Sequence, residues 1–145
     1  MPIYGLVPAF ALIVAVAMAG GAEDTSVRRH VVPEAPEESA SVTLEGDVMR
    51  ERHYGPPNYG ETPDEDRIEE AVILRLRQPL CAPREPGAAC GGQDVHGSIH
   101  LVLSRERLGT ASIEGCVVVT GPLFRAYSGH HRRAILMAVD RVEPC

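Results

Sequence analysis

Cys116-Val117-Val118-Val119-Thr120-Gly121-Pro122-Leu123-Phe124, then Tyr127-Ser128-Gly129-His130-His131-Arg132-Arg133, then Ala134 onward to Cys145: this C-terminal stretch decides the fold. The three valines begin a β-branched run of the kind that fits a pleated, half-buried surface. Residues 127–133 carry the glycine and polar side chains of a turn, and residues 134–142 run back as a second apolar segment. Folding this hairpin about the His130–His131 bond sets Cys116 opposite Cys145, so a disulfide can staple its two ends.

The 145 residues have room for one domain and a leader. Residues 6–19 form an apolar run of signal-peptide length, ending in Ala17-Met18-Ala19 and then Gly20-Gly21-Ala22. Its start departs from the usual form, because residues 1–5 offer no basic side chain. A membrane anchor would need about 20 apolar residues, and no Cys follows the run to carry a lipid. Residues 1–22 are therefore expected to be a cleaved signal peptide. The mature chain is expected to be secreted or periplasmic, with no stable membrane span.

All 20 acidic and 14 basic residues lie beyond that leader, so the formal charge of −6 stays with the mature chain. Every basic residue is Arg. An acidic chain without an Arg cluster is poorly built to neutralise phosphates or to hold an anionic bilayer. Without Trp it also lacks the stacking platform of single-strand binders. Nucleic acid is excluded as a partner on these grounds.

The four Cys fit an exported domain, where an even count reads as disulfides. Three pairings exist. The preferred one joins Cys81 to Cys90, which bracket a short loop, and Cys116 to Cys145 across the hairpin. Loops of roughly 10 and 30 residues each give about 3 kcal/mol in the chain-entropy description. Neither spacing is that of a zinc knuckle.

Residues 23–40 are rich in Glu, Pro, Ala and Ser and lack apolar periodicity, which predicts a disordered linker. The domain proper is expected over residues 41–145. In Ser41–Tyr54, Val42, Leu44, Gly46 and Val48 alternate with Thr43, Glu45 and Asp47, the period of a half-buried strand. Gly46 is a place where a sheet can bend sharply. Residues 71–80 and 96–103 repeat the pattern with Val72, Leu74 and Leu76 inward, then Ile99, Leu101 and Leu103. A turn or two of helix follows Ser104, a candidate N-cap. Five short strands with a helical connection after the third predict an all-β, OB-like Greek-key barrel.

The Val42-Thr43-Leu44-x-Gly46 start, Gly55-Pro56-Pro57-Asn58-Tyr59, Leu74-x-Leu76-x-x-Pro79-x-Cys81, and Val117-x-Val119-x-Gly121 leading to Gly129-His130-His131 together resemble an exported bacterial domain-of-unknown-function family with an OB-like β-barrel. The likeness runs from about residue 41 to 143. It implies the fold and brings no activity with it. One departure is that Gly-His-His runs into Arg132-Arg133 here.

In that architecture the loop after strand one and the loop between strands four and five flank the usual binding face. This would bring Tyr54, Asn58 and Tyr59 to the same pole as Tyr127, His130 and His131, a cluster suited to a protein loop, a glycan or a small polar ligand. The structural alternative is that Pro56 and Pro57 stiffen the loop, Asn58 holds a turn and the histidines cover the end of the sheet. A metal site on His53, His130 and His131 is the second functional alternative. His96 and His100 cannot share an ion, since on a strand they sit about 13 Å apart. No Gly-x-Ser-x-Gly elbow is present, and Ser128 with His130 in one turn is no triad without an orienting acid. The acidic run from Glu61 to Glu70 matches no EF-hand. The expectation is a non-enzymatic binding module without a cofactor, or else a purely structural domain.

Overall fold

The computed structural model describes residues 27–108 and 113–145. The expected leader, the first residues of the expected linker and the end of the helical connection lie outside them. The described chain is all-β. Its elements are β1 (Arg28–Arg29), β2 (Ser41–Tyr54), β3 (Ile68–Cys81), β4 (Val95–Leu103), the one-turn α1 (Arg105–Leu108), β5 (Cys116–Arg125), β6 (Ile135–Val139) and β7 (Arg141–Pro144).

The alternation read from the sequence decides which residues meet. β2 runs antiparallel to β3 from Gly46↔Leu76 to Tyr54↔Ile68, and antiparallel to β5 from Ser41↔Pro122 to Asp47↔Cys116. β3 pairs antiparallel with β4, and β5 antiparallel with β6. β6 also lies parallel to β4, from His100↔Leu136 to Leu103↔Val139. A parallel pair needs a long connection between its strands, and here α1 and β5 lie within it. The pairings thus run β2–β3–β4–β6–β5 and back to β2. Leu44, Leu74, Ile99, Leu101, Val119, Leu123, Ile135, Met137 and Val139 point to one side and form the core. Each such side chain contributes about 2 kcal/mol when fully removed from water. Two glycines mark where backbones press together. A Cβ on Gly46 would collide with the Arg75 carbonyl, and one on Gly121 with the Ala138 carbonyl.

Both expected disulfides form, with Cα–Cα separations of 5.8 Å for Cys81–Cys90 and 5.5 Å for Cys116–Cys145. The returning strand of the hairpin differs from its expectation in one respect. It breaks at Asp140, whose N–H donates to the Thr120 carbonyl at 2.8 Å. β6 pairs with β5 as Leu123↔Met137, whereas β7 pairs as Val117↔Pro144, a slip of one residue. Such an extra residue bends the strand, and this one lets β6 turn away to join β4.

The expected linker is corrected by the structure over its described part. β2 leaves β3 beyond Leu76, so the edge of β3 is open near its end. β1 fills that edge in parallel, Arg28↔Leu80 and Arg29↔Cys81, and the His30 N–H donates to the Cys81 carbonyl at 2.9 Å. Val32 is buried in the core, and the Pro33 carbonyl accepts from the Arg125 N–H at 3.0 Å. Backbone bonds and one apolar side chain hold this segment, and neither produces a periodic pattern in sequence.

Candidate functional site at the two loop corners

The Gly-Pro-Pro-Asn-Tyr corner is a tight, self-bonded loop. The Gly55 N–H donates to the Arg67 carbonyl at 2.7 Å, and the Tyr59 N–H to the Gly55 carbonyl at 2.9 Å. Asp66, within the acidic run that matches no EF-hand, clamps the turn. Its carboxylate accepts from the N–H groups of Asn58 at 2.7 Å and Gly60 at 2.6 Å. The Asn58 side-chain amide donates to the Thr62 hydroxyl. Asn58 therefore holds the turn. Tyr59 adopts φ +53°, a left-handed conformation that a bulky residue takes only under constraint. That conformation lays its ring against the second corner, where a Cβ on Gly129 would stand 3.1 Å from the ring. The Tyr59 and His130 rings meet edge to face, centroids 5.9 Å apart. The two corners are thus in contact.

Charged residues that sequence reading passed over bind the corners to the sheet. Glu69, near the start of β3, accepts from His130 Nδ1 at 2.8 Å and from Arg132 Nη2 at 3.1 Å. The same Arg132 nitrogen donates to the Tyr54 carbonyl at 3.1 Å. Arg133 reaches Glu51 at 2.5 Å and Ser98 at 2.9 Å, and Glu51 also meets His53 at 3.0 Å. The His130 hydrogen bond, with Arg132 behind it, holds the Glu69 carboxyl below its ordinary range. The Arg133 hydrogen bond does the same for Glu51.

Beneath this network runs a row of residues on the face away from the main core. Register sets Ile73 against His100, His100 against Leu136, and Leu136 against Phe124. Ile73, Leu136 and Phe124 are nonetheless buried, and the rings of Tyr127 and His131 pack on Phe124. His131 packs edge-on against Tyr127 at 4.6 Å and Phe124 at 5.8 Å, while its Nδ1 accepts from the Tyr127 N–H at 3.1 Å. His100 Nδ1 accepts from the Arg132 N–H at 3.1 Å. An accepting ring nitrogen carries no proton. Accordingly, burial first, then His131, Arg132, Arg133 and His53, push the His100 pKa down to about 4.

Of the six candidate ligand residues, Tyr54, Tyr59 and His130 are exposed and Tyr127 is 71 % exposed. His131 is partly covered and serves as packing. A shallow groove of about 580 Å³ lies beside them, lined by Glu69, His100, Val102, His130, His131 and Arg132 among others. The alternative metal set His53, His130 and His131 does not converge. His53 is engaged with Glu51, His130 with Glu69, and His131 with the Tyr127 backbone. Among the described residues the one cluster of three potential ligands is Glu45, Cys116 and Cys145, whose sulfurs are bonded to each other. Among the described residues, too, no helix is long and apolar enough to cross a membrane. No protein-family model matches the chain, nor does any curated protein or solved structure.

Proposed function

We propose that the chain is an exported, non-enzymatic binding module, built on an OB-like Greek-key barrel, that engages a protein, glycan or small polar ligand through the corner where Tyr54, Tyr59, Tyr127 and His130 gather. The circuit β2–β3–β4–β6–β5–β2, with its parallel β4–β6 step and α1 after β4, supports the barrel reading. Loops at the two ends of such a circuit flank the ligand face of OB barrels. Two disulfides fit an oxidising compartment, which supports export after loss of residues 1–22. The resemblance to an exported bacterial family belongs to the same reading, since its two motifs meet at this corner.

One observation carries the proposal. Three tyrosines stay exposed, Tyr54 at the end of β2 and Tyr59 and Tyr127 on corners that Asp66, Glu69 and Arg132 tie down. Aromatic rings with polar tips give large contact area at little conformational cost, provided that their backbone is already ordered. The assay is site-specific photocrosslinking in the exporting cell, with a benzophenone side chain at Tyr127 or, on the remote exposed surface, at Thr43. A defined adduct from position 127 that weakens with Tyr59→Ala supports the reading. No adduct, or equal adducts from both positions, overturns it.

A further inference from the structure

Val117 pairs with Pro144, so one step further along the two strands Cys116 faces Cys145, whose N–H donates to the Cys116 carbonyl at 3.3 Å. Val117 and Val119 are buried, and alternation therefore turns Cys116 to the outer face of the sheet. Cys145 is exposed and Cys116 half-buried, whereas Cys81 of the other bridge is 1 % exposed. Two charged side chains from neighbouring strands stand at the exposed bridge. Arg77 on β3 donates from Nη2 to Cys116 Sγ at 3.1 Å. Its Nε lies 3.2 Å from Glu45 Oε1 on β2, and this ion pair holds the guanidinium over the sulfur. A groove of about 320 Å³, lined by Glu45, Arg77 and Val118 among others, runs beside the bridge.

These surroundings make the two sulfurs unequal. A cation against a sulfur stabilises its thiolate, and a disulfide opens faster when the expelled sulfur is the better leaving group. Glu45 Oε1 lies 3.8 Å from Cys145 Sγ and 4.0 Å from Cys116 Sγ, so it does not separate them. Arg77 does, because it bonds Cys116. Cys145 is also the sulfur that an incoming thiol reaches more freely. We propose that Cys116–Cys145 is a redox modification site, opened by a dithiol whose thiolate attacks Cys145 Sγ and expels the Cys116 thiolate onto Arg77. The old S–S bond breaks as a mixed disulfide forms on Cys145. The second thiolate of the dithiol then closes on its own first sulfur and releases Cys145. Two electrons pass to the protein, the dithiol leaves as its disulfide, and its two protons end on Cys116 and Cys145. Among the described residues β7 pairs with β5 alone, so this reaction removes the covalent tie of that strand.

The test exposes the oxidised full chain to reduced glutathione, a monothiol that stops at the mixed disulfide, and separately to dithiothreitol. Acid quenching, alkylation and peptide mass mapping then read each cysteine over time. Glutathione should be found on Cys145 with Cys116 as the free thiol, and dithiothreitol should open Cys116–Cys145 well before Cys81–Cys90. Arg77→Gln should slow the opening by about tenfold, part of the worth of one charged hydrogen bond. Arg77→Lys keeps the cation and should recover most of the rate. The gap between the natural chain and Arg77→Gln should narrow with salt, since the Arg77 side chain is 54 % exposed. Glutathione on Cys116 as often as on Cys145, Cys81–Cys90 opening as early, or an unchanged rate in Arg77→Gln would each overturn the proposal.

Discussion

Glu69→Gln tests how firmly the corners are fixed. The substitution keeps the shape and one acceptor oxygen while removing the charge that His130 and Arg132 share. His130 is 53 % exposed, so its part of the pairing is screened and contributes about 0–1 kcal/mol. Arg132 is only 15 % exposed, and a charged hydrogen bond in that setting is worth about 1.5–3 kcal/mol. Gln recovers part of that, leaving a loss of about 2 kcal/mol. Urea unfolding at neutral pH, read by tyrosine fluorescence, measures it. The reporter is selective, because the chain has no Trp and its tyrosines beyond the leader are Tyr54, Tyr59 and Tyr127. In a cycle with Arg132→Met, the coupling should be about 1–2 kcal/mol and should survive moderate salt, since Arg132 is mostly shielded. A single-variant cost under about 0.5 kcal/mol with additive effects would refute the claim that Glu69 ties the loop to the sheet.

Acid should destabilise the fold between pH 6.5 and about 4 through His100. Above 6.5 the ring is neutral in both states; below it the unfolded chain takes up a proton that the folded ring refuses, so stability falls until about pH 4 and then levels. With screening of a partly exposed ring the loss is about 1–2 kcal/mol, and His100→Gln should flatten this part of the pH profile; an unchanged slope contradicts the assignment. Gly121→Ala drives a methyl into the Ala138 carbonyl and should cost about 3 kcal/mol in thermal unfolding, whereas Gly87→Ala, with nothing nearby but a positive φ, should cost about 1 kcal/mol. Val32→Ala should cost about 2 kcal/mol, measurable by denaturation, and no loss would mean that this segment does not pack on the core. Replacing Cys116 and Cys145 by Ser should lower stability by about 3 kcal/mol while leaving Cys81–Cys90 intact; a smaller change of midpoint than Val32→Ala produces would count against the staple.

The strands were legible because their chemistry repeats. Ser41–Tyr54 alternates so regularly that its bounds coincide with β2, and the Cys spacing pointed to both bridges. What escaped has local causes. Val32 is one apolar residue among prolines and glutamates, and backbone pairing to β3 leaves no trace in side-chain pattern. Ile73, Leu136 and Phe124 sit at outward positions of their strands, so alternation alone predicts exposure, yet all three are buried. The six tyrosine, asparagine and histidine candidates stand out in the sequence because their residue types are conspicuous. Glu51, Glu69, Arg132 and Arg133 resemble ordinary surface charge until the register sets them face to face.

The two motif-bearing corners meet through the Tyr59 and His130 rings. Nuclear Overhauser contacts in the oxidised protein measure this directly. Cross-peaks are expected between the Tyr59 and His130 rings and from the Tyr59 ring to the Gly129 Hα protons. Their absence, with the Tyr127–His131 contact still present, would show the second corner standing apart from the first, and the shared binding surface would be lost.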